Sequence, residues 1–198
     1  VVGPCFTHLK GKTQLVTKVL WNRNVLRKLP IKMESESTTP IHPQTCIGHV
    51  HLKVADLERA LDFYCGVLGF TLTQRMGNSA AFVSAGGYHH HIALNTWESA
   101  GGSPPPRNAT GLFHLAILYP TEAALGDALL RVLDNDITLD GATDHGVSKA
   151  LYLRDPDQNG VELYWDRPRD QWPFTSDGNL AMHNRPLDLE ALIRAAEG

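Results

Sequence analysis

Two histidines and one glutamate in this 198-residue chain stand where they could share a metal ion. His49 lies in the alternating stretch 47–54 (IGHVHLKV) and His114 in 113–119 (FHLAILY), and both stretches predict β-strands. Glu162 lies in a further predicted strand among Val161, Leu163 and Tyr164. Two neutral imidazoles and a carboxylate are the parts of a facial triad, which grips a divalent metal from one side and leaves the opposite positions open. Such a set cancels only part of the metal's charge, so Lewis acidity remains for an anionic substrate and for dioxygen. Taken singly the residues are bland. A lone strand histidine is usually a hydrogen-bonded core residue, and a lone strand glutamate can pair with a buried arginine. The matched places of His49 and His114 weigh against coincidence. His51 shares strand parity with His49 and is a second candidate for the same place.

The elements that must position these side chains come in two passes of one pattern. After the first strand, Asp56 offers a helix N-cap, and Leu57, Ala60, Leu61, Tyr64 and Leu68 mark one apolar helix face. Gly69 ends that helix, and strands follow at Phe70–Gln74, Ala80–Ser84 and His90–Asn95. In the second pass Thr121 caps a helix bearing Leu125, Ala128, Leu129, Val132 and Leu133, and strands follow at Ile137–Leu139, Lys149–Arg154 and Gly160–Trp165. The fold class read from this repeat is α+β. Two tandem βαβββ modules, at about 47–97 and 112–166, have sheets that curl around a shared metal cavity. The Gly/Pro-rich stretch Gly101–Pro106 is the linker between them.

Three stretches of the sequence carry a family resemblance: GHVHLKVADLERALDFYCGVLGF, YHHHIALNTW and HGVSKALYLRDPDQNGVELYWDRP. With them the chain resembles the vicinal oxygen chelate superfamily, and within it most closely the single-domain type I extradiol catechol 2,3-dioxygenases. The resemblance implies iron(II) held by His49, His114 and Glu162, with manganese(II) as second choice. It implies an acid/base histidine at His90, although the run His89-His90-His91 leaves the neighbours open because they alternate faces. It implies His145 and Tyr152 beside the substrate. The partners it implies are a catechol-type aromatic diol and dioxygen, whose two atoms both enter the opened ring. It also implies that such modules can form homo-oligomers. One departure is visible. Where the family commonly has Gly after Asp-Pro-x this chain has Gln158, so the left-handed turn falls to Asn159-Gly160.

Rival functions are weighed by the residues each would need. A glyoxalase-type isomerase needs a second carboxylate on the last strand of the first module, and His90–Leu94 has none. A fosfomycin-type transferase needs a basic pocket, which two lysines after Met33 supply poorly. A ligand-sequestering protein of the bleomycin-resistance kind has no use for the metal set.

Net charge is −3, but it is unevenly spread. The first 32 residues hold seven Lys/Arg and no acid, whereas the rest hold eleven Lys/Arg against twenty-one Asp/Glu. The acidic body argues against nucleic acid as a partner. No apolar run is long enough to span a membrane. Three cysteines without a paired framework fit a reducing compartment, hence the cytoplasm, and Cys65 reads as core packing. Residues 1–45 read as a basic, then polar, leader. Its start fits a targeting presequence, a binding arm or a stretch upstream of an initiator Met33, the last being favoured. Residues 46–173 form the expected domain, and 174–198 a tail with a short helix at Leu187–Ala196 that covers an edge or cavity mouth.

Overall fold

A computed structural model describes residues 39–198. The leader's basic part, with Cys5, lies outside them. Residues 39–45 follow an exposed path with one turn, closed by Thr45 N–H on His42 O at 2.9 Å. Cys46–Gly198 form one compact unit.

That unit contains the repeat. Strands β1 (Val50–Lys53), β2 (Thr71–Met76), β3 (Ala80–Ser84) and β4 (Ile92–Asn95) form one sheet in the order β1-β4-β3-β2. Strands β5 (Leu115–Leu118), β6 (Leu139–Asp144), β7 (Ser148–Arg154) and β8 (Gly160–Asp166) form a second, in the order β5-β8-β7-β6. A two-residue strand, β9 (Arg185–Pro186), is added at its β6 edge. In each sheet the first strand runs parallel to the fourth, with Val50 opposite Ile92 and Leu115 opposite Val161. The two modules therefore share topology and register, as the α+β repeat requires.

Helix α1 (Leu57–Leu61) starts where Asp56 accepts a hydrogen bond from Arg59 N–H at 3.0 Å. It continues as π-helix over Asp62–Val67. The wider turn buries Phe63 as well as the expected face of Leu57, Ala60, Leu61, Tyr64 and Leu68. Helix α2 (Glu122–Asp134) is capped by Thr121, whose hydroxyl accepts from Ala124 N–H at 3.1 Å. Helix α3 (Leu189–Glu197) packs on α2, and Leu192 is fully buried. Gly126 allows that approach, because a side chain there would meet Leu192 O at 2.5 Å. No helix among the described residues is long and apolar enough to cross a membrane.

One apolar core runs through both modules, from Leu52, Val54 and Tyr64 to Leu129, Leu151 and Leu163. Polar groups join the modules too. Buried Tyr64 donates its hydroxyl to Asp155 Oδ2 at 3.0 Å, while Ala55 N–H and Arg59 reach Asp157 Oδ1 at 3.1 and 2.6 Å. Burial, with the Asp155 carboxylate, holds the Tyr64 phenol far above the usual tyrosine range, so it stays a donor. Cys65 packs partly buried against the core, and burial pushes its thiol up, away from reactivity.

Four expectations need correction. The strand expected at His90–Asn95 opens only at Ile92, so His89, His90 and His91 lie in the β3–β4 connection and do not alternate as strand residues. His49 and His114 lie immediately before β1 and β5, not within them, because the ladders open at Val50 and Leu115. The strand expected at Ile137–Leu139 is displaced to Leu139–Asp144, where pairing to β7 and β9 holds a Gly- and Asp-containing segment extended. The left-handed residue of the β7–β8 turn is Gln158 itself, with φ 66°, and not the Asn159-Gly160 pair. Asp155 imposes this. Its carbonyl accepts from Gln158 N–H at 2.9 Å, and its carboxylate accepts from Asn159 N and Nδ2, both at 2.8 Å.

Candidate metal centre

The second sheet gathers four of the six expected site residues. Tyr152 on β7 lies opposite Glu162 on β8, and partners in an antiparallel pair face the same side. Glu162 is half-buried, with Oε2 2.9 Å from His114 Nε2. Its other oxygen, Oε1, lies 3.1 Å from the Tyr152 hydroxyl. That hydroxyl is also 2.8 Å from His145 Nε2. Burial, then the Glu162 charge, pushes the Tyr152 phenol up to about 12, so it remains a donor at neutral pH. A cavity of about 360 Å³ opens beside this group, lined by Phe113, His114, Tyr152, Arg154, Gly160 and Val161. Arg154 is already paired, its Nε 2.6 Å from Asp140 Oδ2.

The other two lie beside the first sheet, His49 just before β1 and His90 in the β3–β4 connection. The His49 and His90 rings lie 4.5 Å apart, and Phe82 lies edge-on to His90 at 5.0 Å. Burial first, and then the charges of His49 and His89, lower the His90 imidazole below its ordinary value. His51 is exposed and stacks edge-on to Trp97 at 5.3 Å instead. His91 is tied into the β3–β4 turn, its Nδ1 3.0 Å from Ser84 Oγ and accepting from Ala85 N–H at 3.3 Å. His89 is exposed, with its Nδ1 2.7 Å from His90 Nδ1. Of the three adjacent histidines, His90 is therefore the one set against His49.

The donor chemistry of His114 and Glu162 fits a divalent ion. Two ligands each about 2.1 Å from one octahedral ion, at right angles, lie about 3 Å apart. The 2.9 Å separation, that of a direct N–H···O contact, is also compatible with that spacing, and an imidazole beside a carboxylate is an ordinary ligand pair. His49 stands beside the other sheet. Among the described residues no three His, Cys, Asp or Glu side chains lie close enough together to hold a metal ion.

A family profile described as the Glyoxalase/Bleomycin resistance protein/Dioxygenase superfamily matches residues 46–163. The chain belongs to this superfamily. It is 42% identical over 159 residues to the catechol-2,3-dioxygenase of Bacillus subtilis, covering 80% of this chain and 54% of that protein. It is 34% identical over 122 residues to biphenyl-2,3-diol 1,2-dioxygenase 3 of Rhodococcus globerulus, covering 61% of this chain and 63% of the relative. The chain thus spans less than two thirds of either curated relative. In fold it is similar to a glyoxalase/dioxygenase from Nostoc punctiforme (TM-score 0.55, 18% identity, 67% of this chain and 100% of the other). Within the superfamily fold, the shared register makes Ala93 on β4 the counterpart of Glu162 on β8. Ala93 is fully buried and cannot be a ligand, so the place a glyoxalase-type second carboxylate would take is filled by a methyl group.

Two features near the site had no clear sequence signal. Asn184, in the returning tail, places Oδ1 2.7 Å from His145 Nδ1. Phe113 lines the cavity from the loop before β5, and only its position beside His114 could have marked it.

Proposed function

We propose that this chain is an extradiol-type dioxygenase, which opens a catechol-type ring next to its diol using dioxygen. The observation that carries this reading is the group at the second sheet: His114 beside Glu162 at 2.9 Å, with Tyr152 lining the same cavity as His114 and His145 2.8 Å from the Tyr152 hydroxyl. The similarity to two relatives named as diol dioxygenases supports it.

Iron(II) would be held by His114 and Glu162; the family resemblance makes His49 the third ligand, although the three side chains do not lie close enough together here to share an ion. Bound there, it would supply the redox partner that lets a closed-shell diol react with triplet dioxygen. The chain's own residues do the rest. Phe113 offers apolar surface to an aromatic ring, and the cavity volume suits a small one. Tyr152, held protonated with its hydrogen toward His145, can accept a hydrogen bond from a diol O–H at the mouth of the site. His145, bonded to the same hydroxyl, steadies it. His90, with its imidazole lowered, is neutral near pH 7 and can accept a proton from the diol and return it later.

Anaerobic metal analysis tests the ligand set. Wild-type protein should bind one iron(II) per chain. Glu162→Ala, His114→Ala and His49→Ala should each lose it, and His90→Phe should retain it while slowing turnover. Equal iron binding by His49→Ala and wild type would remove His49 from the set. No bound divalent metal in the wild type would favour a binding protein of the superfamily instead.

A further inference from the structure

We propose that Asn184 is a positioning residue that sets the direction of the hydrogen bonds ending on Glu162. Its catalytic consequence rests on the function just proposed, but its effect on His145 does not.

Asn184 lies in the returning segment 172–188, beyond the part of the chain that matches the family profile. That segment is pinned on both sides of it. His183 N–H donates to His145 O at 3.1 Å, and Arg185 pairs with Asp144 in the β6–β9 ladder. Gly146, at φ +80°, makes room, because a side chain there would fall 2.6 Å from the His183 ring. The result is a continuous chain of polar contacts. Asn184 Oδ1 is 2.7 Å from His145 Nδ1, and His145 Nε2 is 2.8 Å from the Tyr152 hydroxyl. The hydroxyl is 3.1 Å from Glu162 Oε1, and Glu162 Oε2 is 2.9 Å from His114 Nε2.

An amide oxygen only accepts, so the His145 Nδ1 facing it must carry the hydrogen. The neutral ring then presents a bare Nε2, which accepts. Tyr152 has one phenolic hydrogen and two acceptors in reach, and His145 is the nearer. With that hydrogen directed to His145, Glu162 Oε1 keeps its lone pairs for a cation. Without the Asn184 oxygen, the other His145 tautomer is equally accessible. Its Nε2–H would donate to the Tyr152 oxygen and turn the phenolic hydrogen onto Glu162. Asn184 thus acts through His145 and touches neither substrate nor metal.

The test uses the full chain with ¹⁵N-labelled histidine at pH 8, His145 being assigned by its loss in His145→Gln. Wild type and Asn184→Asp should show His145 with hydrogen on Nδ1. Asn184→Leu should shift it toward the Nε2–H form. A wild-type His145 in the Nε2–H form overturns the proposal whatever the variants do, and so do identical His145 shifts in wild type and Asn184→Leu. In iron-loaded protein, Asn184→Leu should lose about tenfold in kcat at unchanged KM, with Asn184→Asp near wild type. If wild type shows the Nδ1–H form but cleaves no catechol, the function proposed above fails and the positioning role stands.

Discussion

Gly160 and His114 are in contact: a Cβ on Gly160 would lie 3.0 Å from His114 Cβ and would also collide with the Phe113 carbonyl oxygen. The glycine that opens β8 therefore sets how closely the loop before β5 can approach, and with it the position of the His114 ring beside Glu162. Gly160→Ala should push that loop away. The expected cost is about 1–3 kcal/mol of stability, as for other overpacked sites. Metal affinity should fall by a larger factor than in a surface variant of equal stability. Urea unfolding and a metal titration on the same protein check both. Unchanged affinity would show that His114 is not held by this contact.

A pH-dependent contribution is expected from Asp144. Burial pushes its carboxyl up, but the Gly146 amide and the Arg167 guanidinium, 2.6 Å away, more than reverse this and hold it below its ordinary value. A carboxyl depressed in the folded state stabilises fully above its unfolded pKa of about 4, and that stabilisation is lost as pH falls through the folded value. Asp144→Asn should therefore be less stable than wild type at pH 7, and the gap should close in acid. Urea midpoints at pH 7 and pH 3 measure it. A gap that persists unchanged at pH 3 would assign the loss to packing.

At Gln158 the left-handed backbone, φ 66°, is carried by a residue with a side chain. That conformation costs an L-residue about 1–2 kcal/mol, whereas glycine bears no such strain but gives up about 0.5–1 kcal/mol of chain entropy. Gln158→Gly should raise stability by about 0.5–1 kcal/mol without changing activity. A thermal melt reads it, and a fall in the midpoint would show that the Gln158 side chain contributes more than its backbone strain.

Patterns set by local chemistry were legible in the sequence. Ala80–Ser84 was bounded correctly because Gly77-Asn78 and Gly86-Gly87 punctuate it, and Asp56 and Thr121 cap their helices as their side chains allow. The equivalence of His49 and His114 also survives, since both precede strands of matched register. What was not legible depends on tertiary pairing. Leu139–Asp144 carries Gly141 and two aspartates, residues poor in strand propensity, and its pairing with two neighbouring strands makes it β6. The π-helical turns at Asp62–Val67 bury Phe63 besides the face that the helical spacing of Leu57, Ala60, Leu61, Tyr64 and Leu68 announces, and that spacing alone does not reveal them. Asn184 is separated from His145 by 39 residues, and nothing local announces that the tail returns to it.

Oxygen uptake by anaerobically iron-loaded protein on addition of catechol is the most direct measurement. Wild type should consume one dioxygen per catechol, release no hydrogen peroxide and form a yellow ring-opened product, while Glu162→Ala should do none of this. No uptake across simple and substituted catechols, with iron shown to be bound, would contradict the account.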